Sequence, residues 1–275
     1  MISLCPLTVL PCSPLDQIDA ALDAGFDAIG LRVVPALATD IDVMADRSLR
    51  DAIAKRLSVT GIRVLDVEVV RISPRTDVAA LEPLIQYADD LGARALAVTG
   101  DPKSEWGTEW TPGHQQAMER KLAELCELAS RYRTRPALEF MIYRTIDTLS
   151  CALEMRETAG VENLDICIDA LHFYRSGGKL AELSDLGGAT LSCFQFCDAP
   201  AEPQTELPYE ARFGRLLPGH GDIPLCDYLK ALSPDIPIAV EVPDQSGADR
   251  SVRDRAFAAA RATRAVLEMA GREWK

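Results

Sequence analysis

Positive charge is scarce in this chain. Its 275 residues carry 29 lysines and arginines against 42 acids, a net charge of −13. A protein that works by neutralising nucleic-acid phosphates or an anionic membrane needs the opposite balance, so neither partner is expected. No apolar run reaches the roughly 18 residues of a membrane span. The opening "MISLCPLTVLPCSP" has no basic leader and reads as a first strand rather than a signal peptide. None of the eight cysteines forms a CxxC pair. Together these features suggest a reduced, cytoplasmic setting with the cysteines serving as small core residues.

Gly-rich phosphate loops are also missing. Neither GxGxxG nor a Walker pattern follows the first apolar run, which weakens a dinucleotide-binding reading. What is present is alternation. Eight short apolar runs are expected as strands: 2–10, 28–34, 63–72, 94–100, 136–141, 164–173, 191–199 and 237–243. Segments with helical spacing lie between them, giving units of roughly 34 residues. Eight such units without a linker predict an α/β fold, a single (β/α)8 TIM barrel over residues 1–275. The longest irregular stretch is 199–223, after the seventh strand.

Barrel chemistry gathers at the carboxyl ends of the strands. Four polar residues interrupt the apolar runs there: Glu139 in "PALEFM", Asp169 in "CIDALHF", Gln195 in "CFQFCDA" and Glu241 in "AVEVP". Side chains alternate faces, so their same-face neighbours two residues earlier are Ala137, Cys167, Cys193 and Ala239, all small. Three carboxylates converging in a water-poor space repel one another, and a divalent cation relieves that repulsion. The reading is therefore a metal site of Glu139, Asp169, Gln195 and Glu241. Its oxygen-rich set suits Mn²⁺ first, with Mg²⁺ or Co²⁺ as substitutes.

These same residues resemble the xylose isomerase-like TIM barrel superfamily, the sugar phosphate isomerase/epimerase family, over nearly the whole chain. "AALDAGFDAIGLR" resembles the family's first helix and second strand, and "ALEFM" its fifth-strand Glu. "DALH" resembles its Asp-x-x-His, "VEVP" its eighth-strand Glu, and "RFGRLLPGHGDIPL" its arginine-containing loop. The resemblance implies metal ligation by Glu139, Asp169, Gln195 and Glu241, with His172 beside the metal and Arg215 and Arg212 on substrate oxygens or phosphate. Most epimerases of the family have His where this chain has Gln195. "FQFCDAP" is similar instead to some 3-dehydroshikimate dehydratases. The apurinic endonuclease branch uses many histidines, which this chain does not have.

Other residues carry weaker signals. Glu68 and Arg32 end strands and could line the pocket; His220 in "PGHGD" could contact substrate or be only a loop residue. Asp198 has the opposite parity to Gln195 and suits loop support. Trp106 and Trp110 could wall the substrate, and His114 reads as structural.

The expected activity is a divalent-metal-dependent isomerase or epimerase of a small polyhydroxy carbonyl compound, a sugar or sugar phosphate. It would act through a metal-stabilised enediolate with Glu139 and Glu241 as base and acid. The alternative is a dehydratase of the 3-dehydroshikimate or inosose type, in which His172 helps a β-hydroxyl leave. A barrel that binds without turnover is a third reading. A homo-oligomer is compatible with the sequence.

Overall fold

A computed structural model of the protein describes every residue except 107–110, 245, 246, 248 and 275. Eight strands run β1 Ile2–Leu4, β2 Ala28–Arg32, β3 Arg63–Ile72, β4 Ala95–Gly100, β5 Arg135–Glu139, β6 Asp165–Asp169, β7 Leu191–Phe196 and β8 Ile238–Val240. Each is hydrogen-bonded in parallel to the next, and β8 pairs with β1, so the sheet closes into a barrel. Most strand residues are buried on both faces, as a parallel sheet wrapped by helices requires.

Most strands are shorter than the apolar pattern predicts, β1, β6 and β8 the most so. β1 stops at Leu4 because Pro6 has no N–H for the ladder, and Pro6–Thr8 forms a 3-10 turn instead. β6 stops at Asp169, whose Oδ1 accepts the His172 N–H at 3.1 Å and starts a helix over Ala170–Arg175. β8 covers only Ile238–Val240, leaving Glu241 just past its end. The stretch 199–223 is not wholly irregular, for it holds a helix over Leu207–Phe213.

Packing divides into two cores. Leu4, Ile29, Leu31, Val98, Leu138, Ile166, Ile168 and Phe194 belong to the large core that includes the covering helices. A smaller cluster of Cys5, Ala28, Leu65, Cys167, Cys193 and Ala239 fills the barrel interior. The cysteines are free thiols, and the Cys167 and Cys193 sulfurs lie 3.6 Å apart on adjacent strands. Small side chains at this level leave the space above them for a polar layer. Gly30 serves the same end. A Cβ there would lie 2.5 Å from Asp66 Oδ1 and 3.2 Å from Glu68 Oε1, so only glycine lets the β3 acids pack across β2.

The covering helices start with local caps. Ser13, Asp46, Thr148 and Ser251 each accept a backbone N–H three residues on. The last helix, Val252–Met269, ties back to the first units of the chain through Arg255 to the Leu10 carbonyl at 2.7 Å and Arg264 to the Ala24 carbonyl at 3.3 Å. Among the described residues no helix is long and apolar enough to cross a membrane.

Candidate active site

The carboxyl ends of the strands enclose a pocket whose walls include Glu68, Glu139, His172, Gln195, Arg212, Arg215 and Glu241. Strand register explains the convergence. Asp169 on β6 pairs with Gln195 on β7, while Glu139 on β5 pairs with Cys167, two residues before Asp169, and Gln195 pairs with Ala239, two residues before Glu241, so the polar residues step along successive strands toward one pocket. Gln195 is oriented by its neighbours. With its amide nitrogen turned inward it donates to Asp169 Oδ2 at 2.9 Å and to Glu139 Oε1 at 3.0 Å.

Five buried carboxylates gather here: Asp66, Glu68, Glu139, Asp169 and Glu241. Two paired guanidiniums oppose them. Arg215 donates to Asp169 Oδ2 at 2.5 Å and pairs with Glu241 Oε2 at 3.1 Å, while Arg32 donates to Glu68 Oε2 at 2.9 Å. Negative charge is thus in excess, and the titration behaviour reflects it. Burial, then the nearby Glu241 and Asp169, push Glu139 well above the carboxylate range. Burial raises Glu241 to about 8 despite Arg215. Burial works against ionisation of Asp169 too, but Arg215 and His172 outweigh it and hold this carboxyl below its usual value. Burial drives the His172 imidazole down to about 4, so it is neutral at physiological pH.

The donor set fits a divalent cation. Ligand atoms of Glu139, Asp169 and His172 lie within 4.8 Å of one another, as do those of Cys5, Glu68 and Glu241. Both His172 ring nitrogens are buried without a hydrogen-bond partner among the described residues, as are Glu68 Oε1 and Asp66 Oδ1. Buried acceptors left unpaired beside surplus carboxylates are what a cation would satisfy.

The other expected residues fall at varying distances from this centre. Arg215 lines the pocket, but its guanidinium is engaged by two candidate ligands and its Nε by the Ala211 carbonyl at 2.9 Å. Arg212 lines the pocket over the Tyr143 ring. Arg32 and Glu68 are in the wall as an ion pair. His220 does not join them. It sits exposed in the turn after Gly219 and is not part of the pocket wall, because the Asp198 carboxylate gathers the Ala199, Gly219 and Ile223 N–H groups at 2.9, 2.9 and 3.0 Å and folds that turn outward. Asp198 therefore braces the loop. Trp106 is half-buried outside the pocket wall, donating to Asp101 at 3.1 Å; His114 lies in the first turn of the helix that Thr111 caps. Trp110 lies outside the described residues.

Among the pocket-region residues that escaped the sequence reading are Asp66, Tyr143 and Arg144. Asp66 shares its strand with Glu68 at a spacing of two, which points both to one face; that spacing was the available signal. Tyr143 and Arg144 follow β5 by only a few residues, in the type of loop that forms a barrel mouth.

Residues 18–268 match the model of the xylose isomerase-like TIM barrel family. The chain belongs to that family. Over 113 residues it is 31% identical to the inosose isomerase of Halalkalibacterium halodurans, a match covering 40% of this chain and 39% of the relative. The similarity to the curated relatives thus spans about two fifths of their length. Among solved structures, the IolI protein with a binding zinc atom superposes with a TM-score of 0.83 at 20% identity, covering 98% of each chain. The probable 3-DHS dehydratase AsbF from Bacillus anthracis, involved in petrobactin synthesis, gives 0.76 at 18% identity over 95% of this chain and 98% of AsbF. At these identities the structural likeness is one of fold, and it extends the xylose isomerase-like architecture across almost the whole chain.

Proposed function

We propose that this xylose isomerase-like barrel is a divalent-metal-dependent isomerase or epimerase of a small polyhydroxy carbonyl compound. The observation that carries the proposal is that two buried glutamates, Glu139 and Glu241, line one pocket with Gln195 and His172, with Asp169 buried against the Gln195 amide. Similarity to inosose isomerases supports the same reaction class.

The ion would be held by Glu139, Asp169, Gln195 and Glu241, with Mn²⁺ favoured by the oxygen-rich set and Mg²⁺ or Co²⁺ as substitutes. When bound it supplies Lewis acidity toward the substrate's carbonyl and adjacent hydroxyl oxygens. The chain's own groups do the proton work. In the loaded site the nearby positive charge would favour the ionised form of the glutamate that acts as base, while the other would keep the proton it donates. One of them would take the proton α to the carbonyl, the C–H electrons passing to the carbonyl oxygen, and the other glutamate would return a proton: to the opposite face of the same carbon in an epimerase, or to the former carbonyl carbon in an isomerase, with the hydroxyl proton passing between the two oxygens. Buried and neutral, the His172 ring offers hydrogen bonds to a substrate hydroxyl. Arg215 holds Asp169 and Glu241 in place through its two ion pairs.

A dehydratase is the second reading, favoured by Gln195 and by the fold-level likeness to AsbF. It requires a proton for a departing β-hydroxyl. His172 would have to supply it, and the isomerase is put first on the similarity to inosose isomerases. Incubation with inososes and ketoses in D₂O with Mn²⁺ separates the two. The expected result is deuterium incorporation at the carbon next to the carbonyl without loss of water. A new enone absorbance would assign the dehydratase, and the absence of both would overturn the proposal.

A further inference from the structure

The pocket holds a second kind of unmet demand, of opposite sign to the first. Arg144 is 5% exposed, and its Nε and Nη1 have no hydrogen-bond partner among the described residues. Its backbone is fixed. The Arg144 N–H donates to the Met141 carbonyl at 2.7 Å, Thr145 N–H donates to the Asp101 carbonyl at 2.9 Å, and Arg144 bridges Pro102. The loops after β4 and β5 therefore hold the guanidinium in the pocket wall without an anion to meet it. Arg212, in the same wall, has among the described residues only a long hydrogen bond to the Pro208 carbonyl at 3.4 Å. Both guanidiniums lie against one ring, Tyr143, at 5.6 Å for Arg144 and 5.7 Å for Arg212. The edge of the same ring meets His172 at 5.5 Å.

The other arginines of the pocket differ. Arg32 and Arg215 are ion-paired with buried carboxylates. Arg71 has Glu105 at 3.7 Å, both partly exposed. Burial, with Arg71 and Arg212 nearby, depresses the Arg144 guanidinium, while Tyr143 and Glu139 pull the other way. An unpaired buried charge is costly, and a protein retains one where a ligand completes it. Guanidinium forks match carboxylate and phosphate oxygens, and aromatic faces hold such forks flat.

We propose that Arg144 and Arg212, spaced by Tyr143, form an oxyanion subsite, so that the substrate of this pocket carries a carboxylate or phosphate group beside its polyhydroxy carbonyl. The inference rests on the pocket being the substrate site proposed above. It departs from a neutral cyclic polyol, and it sets the anion on the β5-loop side, where Tyr143 links it to His172.

The test needs no knowledge of the substrate. Mn²⁺-loaded protein is titrated calorimetrically with three matched compounds: glycerol, D-glycerate and glycerol 3-phosphate. At least one anion is expected to bind tenfold or more tighter than glycerol; glycerate marks a carboxylate subsite and glycerol 3-phosphate a phosphate subsite. Arg144→Gln and Arg212→Gln should each weaken that anion by roughly 30-fold or more with the Mn²⁺ content unchanged. The ligand-free Arg144→Gln protein should melt no lower than wild type, because an unpaired buried charge has been removed. Failure of both anions to exceed glycerol would overturn the subsite, as would a preference that survives in both variants. Anion binding lost in the variants of a protein that turns nothing over would leave this subsite standing and reject the isomerase.

Discussion

Glu139→Gln and Glu241→Gln are each expected to remain nearly inactive at saturating Mn²⁺, roughly 10²–10⁴-fold below wild type. Two losses occur together and can be separated. Removing a ligand charge weakens metal binding, and excess Mn²⁺ restores occupancy by mass action. Removing the proton acceptor cannot be restored that way. Gln195→Ala, which removes a neutral ligand and no charge or proton acceptor for the reaction, should be at least partly rescued by excess Mn²⁺. The fold itself should tolerate the Glu139 change. Burial and the neighbouring Glu241 and Asp169 push this carboxyl well above the usual range, which favours its neutral form in the metal-free protein, and Gln is close to that form in shape and charge. Turnover measured against Mn²⁺ concentration, with occupancy by metal analysis, checks the expectation. If both folded variants turn over at nearly the wild-type rate, the two glutamates are not the acid and base; if one does, the base is the other.

Arg215→Ala is expected to have the largest effect on stability. The side chain is buried and bridges Asp169 and Glu241 at 2.5 and 3.1 Å. Its removal leaves two buried carboxylates without their partner, a loss of about 3–5 kcal/mol where a buried pair is broken. Chelator-treated Arg215→Ala protein should therefore unfold well before wild type in urea. Added Mn²⁺ should recover much of the difference, since a cation among the same carboxylates replaces the lost charge. Metal affinity should not fall, because a repelling positive charge has gone. An unchanged urea midpoint in the absence of metal would mean that the two ion pairs contribute little.

Much of this was legible in the sequence, and the exceptions have local causes. The barrel follows from eight apolar runs alternating with helical segments, and the convergence of Glu139, Asp169, Gln195 and Glu241 follows from strand parity. The sixth strand was read too long because Ala170, Leu171 and Phe173 continue the apolar run, and a short buried helix has no periodicity that separates it from a strand. The Asp169 cap decides the matter, and Asp at a strand end leading into a helix was the missed signal. Arg215 was legible as a pocket residue but not as the partner of Asp169, 46 residues away, because such pairing depends on the closed barrel. His220 looked functional from its glycine-flanked motif, yet Asp198 turns that loop outward through three backbone N–H groups. Arg144 carried no motif at all. Its importance appears only when its burial and its lack of a partner are seen together.

The central claim is that these strand-end residues hold a divalent ion. Crystals grown with Mn²⁺ and measured at the manganese absorption edge test it most directly. The account predicts one anomalous peak per chain, within coordination distance of Glu139, Asp169, Gln195 and Glu241, and its loss in the Glu139→Gln, Glu241→Gln double variant at stoichiometric Mn²⁺. A pocket without a peak in wild-type crystals, or a peak held elsewhere on the chain, would contradict it.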